Sequence, residues 1–216
     1  MDLLVVGDVH GCYHSLRHLL EQHWPPQRAV LVQLGDLINK GPHSARTLQY
    51  WMQLQEAHPG RVHLLRGNHE QLLINCHQSN RKNADYRRLV TELKYNSLPV
   101  NEALRWLRTT PLSYYAPQAL VTHAGLARQA HDPYRIEAPD SVVNNRKKLL
   151  RLARPQVVGH TIIKEGRPLF STNENAWYID TGAWQGGGLS GLYFSTEGPP
   201  RVVQVPTHPE DRSGAS

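Results

Sequence analysis

Five short apolar runs, each leading into a glycine-containing turn that carries His, Asp or Asn, limit what this chain can fold into more than any other feature. Residues 3–6 lead into Gly7-Asp8-Val9-His10-Gly11, residues 29–34 into Gly35-Asp36, and residues 62–65 into Arg66-Gly67-Asn68-His69-Glu70. Residues 119–122 lead into His123-Ala124-Gly125, and residues 156–158 into Gly159-His160-Thr161. Val/Leu runs of this kind read as strands buried on both faces. The early intervening segments are helical in period. Leu16, Leu19, Leu20 and Trp24 share one face; Leu48, Trp51 and Met52 share another, and Gly60 stops that second helix. Strand alternating with helix predicts an α/β fold of βαβ units with a largely parallel sheet. Turns that follow parallel strands gather at the carboxyl edge, where ligands bind. Residues far apart in sequence are thereby brought together.

Residues 76–118 break the alternation. Tyr86, Leu89, Val90 and Leu93 fall on one helical face, Val100, Ala103, Leu104 and Leu107 on another. This stretch reads as a small helical insertion at one side of the site. Asp140 is placed to cap a further helix reaching about Ala153. Short strands are expected at 168–171, 176–179, 189–195 and 202–205. One domain is expected over 1–206, with 207–216 a polar, aperiodic and disordered tail. With 216 residues, 39% of them hydrophobic, such a domain can bury its own core. No run approaches the roughly 18 apolar residues of a membrane span, and nothing at Met1-Asp2 reads as a signal peptide. Cys12 and Cys76 give no disulfide framework and read as core fillers, so a reducing cytoplasm is the expected compartment. Lys and Arg outnumber Asp and Glu by 24 to 18, which favours an anionic partner.

The polar residues at the five strand ends are Asp8, His10, Asp36, Asn68, His69, His123 and His160. Carboxylate, imidazole and carboxamide oxygen, without thiolate, suit Mn, Fe or Zn. Two carboxylates and at least three imidazoles exceed the needs of one four-coordinate ion, so two divalent ions are expected. Such a pair can activate a hydroxide and clamp a phosphoryl group for in-line attack. The other nine histidines, His14, His43 and His208 among them, read as surface or core residues without chemistry. Glu70 reads as an acidic residue favoured by a helix N-terminus. Arg146-Lys147-Lys148, with Arg151 and Arg154, reads as a solvated helix face ahead of a nucleic-acid patch. Trp184, before Gly186-Gly187-Gly188, is either a packed aromatic or a group that stacks on a ligand.

Taken in order, Asp8-Val9-His10-Gly11, Gly35-Asp36, Gly67-Asn68-His69-Glu70, His123 and Gly159-His160-Thr161 resemble the calcineurin-like metallophosphoesterase family. Within it they are similar to the bacterial and phage lambda-type serine/threonine protein phosphatases, a likeness that Ile179-Asp180-Thr181-Gly182-Ala183 extends. The resemblance implies a sandwich of two mixed β-sheets flanked by helices. It implies Asp8 and His10 on one ion, Asp36 bridging both, and Asn68, His123 and His160 on the second, with Mn the first choice of metal. His69 would protonate the leaving group. Arg66, Lys40 and Arg146 would bind phosphoryl oxygens.

One block departs from the protein-phosphatase pattern, in which Gly-Asp is followed by two variable residues and then Asp-Arg-Gly. Here Gly35-Asp36-Leu37-Ile38-Asn39-Lys40-Gly41 puts neutral Asn39 where the carboxylate that stabilises protonated His69 is usual. Lys40 keeps the charge of the usual Arg without its bidentate fork. An Asn-Lys pair is closer to symmetrical diadenosine tetraphosphatases, whose nucleotide leaving group departs more readily than a serine alkoxide. The first expectation is therefore a serine/threonine protein phosphatase that hydrolyses phosphate monoesters of proteins or peptides. The alternative is a nucleoside polyphosphate hydrolase acting on dinucleoside polyphosphates or capped RNA.

Overall fold

Alternation along the first strand divides the interior into two layers. In β1 (Asp2–Val6), Leu3 and Val5 face one side and Leu4 and Val6 the other, and all four are buried. That is the signature of a strand covered on both faces. The computed structural model describes residues 1–79 and 82–212. In chain order the first half is β1, α1 (Tyr13–His23), β2 (Ala29–Gln33), α2 (Ser44–Ala57), β3 (Val62–Leu64), α3 (Asn68–Gln78), α4 (Ala84–Tyr95) and α5 (Val100–Arg108). The second half is β4 (Ser113–Tyr115), β5 (Leu120–Thr122), β6 (Gln156–Val158), β7 (Leu169–Ser171), β8 (Ala176–Tyr178), β9 (Leu189–Phe194) and β10 (Arg201–Val205).

The strands form two mixed sheets of five, ordered β10-β9-β1-β2-β3 and β4-β5-β6-β8-β7. Parallel pairing holds for β1 with β2, β2 with β3, β5 with β6 and β6 with β8. The five apolar runs are thus shared between the sheets, three in one and two in the other, instead of lying in a single parallel sheet. Leu3, Val5, Val32 and Leu34 meet Val121, Val157 and Ile179 in the layer between the sheets. Leu4, Val6, Leu31 and Leu64 turn the other way, into a core shared with α1 to α5. No helix among the described residues is long and apolar enough to cross a membrane.

Three expectations are corrected. Residues 140–153 form turns and not a helix, and Asn144 and Asn145 spend their side-chain amides on backbone carbonyls outside any helical pattern. Asn144 Nδ2 donates to the Ile136 and Ala138 carbonyls, and Asn145 Nδ2 to those of Ala124 and Lys147. Within the 76–118 insertion, α4 and α5 are as expected, but α3 extends to Gln78 and β4 adds an edge strand on β5.

The polar tail expected from 207 onward is ordered through Arg212, while 213–216 lie outside the described residues. Thr207 and Asp211 are buried. Thr207 Oγ1 donates to Ala183 O at 2.7 Å, and Asp211 serves as a cap for α1 from across the fold. Its Oδ2 takes the N–H and the hydroxyl of Ser15, both at 2.7 Å, and Oδ1 takes the N–H of His14 at 3.2 Å. The residue in the cap position itself, Cys12, makes no side-chain cap bond. Asp211→Ala therefore strips α1 of its cap and is expected to cost about 1–3 kcal/mol. Urea denaturation of the two proteins measures that loss; equal stability would remove the cap from this account.

Candidate active site

Each polar turn leaves the carboxyl end of a strand. Asp8 and His10 follow β1, Asp36 follows β2, Asn68 and His69 open α3 after β3, His123 follows β5, and His160 follows β6. Close approach of these turns needs missing side chains at particular places. A Cβ at Gly159 would collide with Asp8 Oδ1, and one at Gly67 with the Asp36 N–H and carboxylate. His10, Asp36, Asn39, Lys40 and His160 all have positive φ, between 49° and 68°. Non-glycine residues adopt that conformation at about 1 kcal/mol or more each. Such strain persists only where surrounding bonds over-determine it.

The bonds that do so centre on Glu70, which is fully buried. Its Oε2 accepts the N–H groups of Asp36 at 2.7 Å and Gly67 at 2.9 Å, and Oε1 accepts that of Leu37 at 2.9 Å. This carboxylate ties the turn after β2 to the turn after β3. Burial and the nearby Asp36 charge push it up to about 7, against the pull of those amides. Neighbouring residues point only to a helix-dipole role for Glu70, because the Asp36 and Leu37 amides it binds lie 34 and 33 residues earlier.

Around that frame the donor atoms converge. Asp36 Oδ2 lies 3.5 Å from both His10 Nε2 and His123 Nε2. His123 Nε2 is 3.0 Å from Asn68 Oδ1 and 3.1 Å from His160 Nδ1, and His160 Nδ1 is 2.9 Å from Asn68 Oδ1. Two possible metal-holding groups result, His10-Asp36-His69 and Asp36-His123-His160, with Asp36 in both. Asp8 Oδ2 accepts the His160 N–H at 3.1 Å, while its Oδ1 is buried and unpartnered. His10 Nδ1 donates to Ile38 O at 3.0 Å, which frees Nε2 as a lone pair facing Asp36.

The electrostatics match a cation site. Burial brings His10, His123 and His160 down to about 3, so all three rings are neutral. Burial also raises Asp36 and Asp180 to about 6, and burial with the Asp180 and Asp36 charges raises Asp8 well above the usual carboxylate range. Neutral imidazoles, a carbonyl oxygen and crowded buried carboxylates are lone pairs with too little positive charge among them. Divalent cations would balance that deficit, and nitrogen and oxygen donors without sulfur fit Mn, Fe or Zn. Asp180, after β8, belongs to this cluster through its charge. Its only trace in the sequence was the segment from 179 to 183.

The remaining predicted residues fall around the rim. Asn39 Nδ2 is 3.1 Å from His69 Nδ1, and the His10 and His69 rings meet edge to face at 4.8 Å. Exposed Lys40 holds its Nζ 5.6 Å from the centre of the Trp184 ring, which in turn lies 6.3 Å from the His10 ring. Arg146 is exposed, with Nη1 3.4 Å from Thr161 Oγ1. Arg66 turns the other way. Its Nη2 donates to the carbonyls of Arg108 at 2.7 Å and Thr110 at 3.0 Å, and Nη1 to Gln71 Oε1 at 3.2 Å.

A family model described as calcineurin-like phosphoesterase matches residues 1–182. The symmetrical bis(5'-nucleosyl)-tetraphosphatase of Photorhabdus laumondii is 33% identical over 132 residues, which is 60% of this chain and 46% of that protein. The likeness thus spans about half the length of that curated relative. A serine/threonine phosphatase from Saccharomyces cerevisiae shares the fold at a TM-score of 0.69 and 17% identity, over 94% of this chain and 79% of that one. A cold-active protein-tyrosine phosphatase from a psychrophilic Shewanella species does so at 0.67 and 19%, over 94% and 80%.

Glu70→Ala would strand the Asp36, Leu37 and Gly67 N–H groups in the interior. It is expected to cost at least about 3 kcal/mol of stability and to weaken divalent-cation binding at least about tenfold, with Mn2+ as the probe. Denaturation and equilibrium Mn2+ titration check both, and an unchanged Mn2+ affinity would show that Glu70 does not hold the Asp36 turn.

Proposed function

The chain belongs to the calcineurin-like phosphoesterase family, and we propose that it is a divalent-metal-dependent hydrolase of nucleoside polyphosphates, with a symmetrical dinucleoside tetraphosphate as substrate. The observation that carries this reading is the Asn39–His69 pair. The amide N–H donates to His69 Nδ1, which places the neutral ring's proton on Nε2. Asn39 thus orients the ring but adds no negative charge to stabilise an imidazolium. Phosphoanhydride cleavage releases a nucleotide phosphate, a weak base that departs with little proton assistance; a serine alkoxide needs much more. The name of the Photorhabdus laumondii relative supports the same substrate class.

In this reading Asp8, His10, Asp36, Asn68, His123 and His160 hold two divalent ions, Mn first, with Fe and Zn suited to the same donors. Those ions would supply Lewis-acid activation of water and of the phosphoryl group. The other residues handle charge and protons. Lys40 and Arg146 flank the cluster and neutralise equatorial phosphoryl oxygens. Arg66 would join them by exchanging the Arg108 and Thr110 carbonyls for phosphate oxygens. His69 Nε2–H donates to the departing oxygen. Arg146, Lys147 and Lys148 also line a cavity bordered by Gly159 and Thr161, and so extend the positive charge along a polyphosphate chain. Trp184 lies beside Lys40, within reach of a base.

The test compares kcat/KM of the Mn2+-loaded protein on diadenosine tetraphosphate and on a phosphoserine peptide. The expected preference for the dinucleotide is at least about tenfold. A preference for the peptide would overturn this reading in favour of a protein phosphatase. Asn39→Asp supplies the missing carboxylate and should raise peptide turnover relative to dinucleotide turnover by about tenfold or more. An unchanged ratio would remove position 39 from the determinants of leaving-group choice.

A further inference from the structure

A second cluster of metal-ligating side chains lies outside the site described above. We propose that His14, His43, His208 and Glu210 form a separate zinc site that fastens the segment around residues 208–211 to α1 and to the residue preceding α2. The four side chains come from three separated parts of the chain. His14 is in the first turn of α1, His43 immediately precedes α2, and His208 and Glu210 flank Pro209.

Ligand atoms of His14, His208 and Glu210 all lie within 4.8 Å of one another, and so do those of His14, His43 and Asp211. His14 Nε2 is 3.3 Å from Glu210 Oε2. That is close to the edge, about 3.4 Å, of a tetrahedron with zinc–nitrogen bonds of 2.0–2.1 Å. The His14 ring stacks on His208 at 5.0 Å and meets His43 edge to face at 5.2 Å. His14 Nε2 is buried and makes no hydrogen bond, which leaves that nitrogen free to serve as a ligand.

Asp211 is already committed to capping α1, with both oxygens taken by N–H and O–H groups of His14 and Ser15. It sits 3.9 Å from His43 Nε2, beside the ligand set and not part of it. His43 Nε2 is 3.0 Å from the Glu210 carbonyl, and releasing that contact makes it the fourth ligand. Three imidazoles and one carboxylate in a small tetrahedral space select zinc over calcium or magnesium, which prefer all-oxygen shells of higher coordination number. The site also braces the catalytic loops from behind, since His43 N–H donates to Gly11 O and Gly41 N–H to His10 O.

The test uses the full chain, stripped with chelator and dialysed against limiting Zn2+. Bound zinc per chain and zinc-dependent Tm are measured for wild type, His208→Gln and Glu210→Gln, with His123→Ala marking the catalytic cluster. Both variants should bind one zinc fewer than wild type and lose most of the zinc-dependent rise in Tm. His123→Ala should retain that rise, and Co2+ bound to it should show the visible absorption of a four-coordinate site. Wild-type zinc content and Tm response in both variants would overturn the proposal, because each removes one ligand side chain while Thr207 and Asp211 keep the segment anchored.

Discussion

Glu70 is a buried carboxylate whose charge is met by backbone amides, and the site geometry depends on that arrangement. The amides of Asp36 and Leu37 come from the turn after β2, and the amide of Gly67 comes from the turn after β3. Two parallel strands deliver two turns to one sheet edge, but parallel pairing alone does not fix how the turns face each other. Glu70 fixes it, at the cost of a desolvated carboxylate. Asp36 can then hold a left-handed backbone, with its Oδ1 taking the His69 N–H at 2.9 Å and its Oδ2 pointing between His10 and His123. Removing the frame would release the strain in the ligand turns before any ligand was lost.

The same economy explains why buried carboxylates crowd together here. Burial raises the proton affinity of Asp8, Asp36 and Asp180, the Asp180 charge adds to the rise at Asp8 and Asp36, and the adjoining imidazoles are kept neutral by burial. No well-packed apolar core would retain such a cluster, because each buried, unpaired charge is unfavourable. The cluster is intelligible as a place prepared for cations. The exposed cations on its rim are Lys40 and Arg146.

Legibility in the sequence followed the kind of force involved. Strands at the five apolar runs could be read because burial on both faces writes continuous Val/Leu stretches, and the polar turns after them stood out against that background. The false helix at 140–153 had helical composition, but Asn144 and Asn145 spend their amides on carbonyls that only the fold brings near. The ordered segment 207–212 was misread for a related reason: its anchors are polar, and Thr207 and Asp211 are buried through hydrogen bonds that no hydrophobic pattern records. Glu70 and Asp180 depend on distant backbone and distant charge, so neither could be weighed from neighbouring residues. Arg66 stands out by its position, but the carbonyls that hold its guanidinium come from Arg108 at the end of α5 and Thr110 just beyond it.

The α1 cap reaches across 196 positions of sequence. During synthesis the first polar turn, Asp8 to His10, emerges early, yet the helix that follows it lacks its cap until Asp211 has left the ribosome. Pairing of β1 with β9 imposes the same wait. Domains generally fold as units, and non-local contacts are formed late and slowly. The cluster, whose members run from Asp8 to Asp180, is therefore complete only when nearly the whole described chain is present.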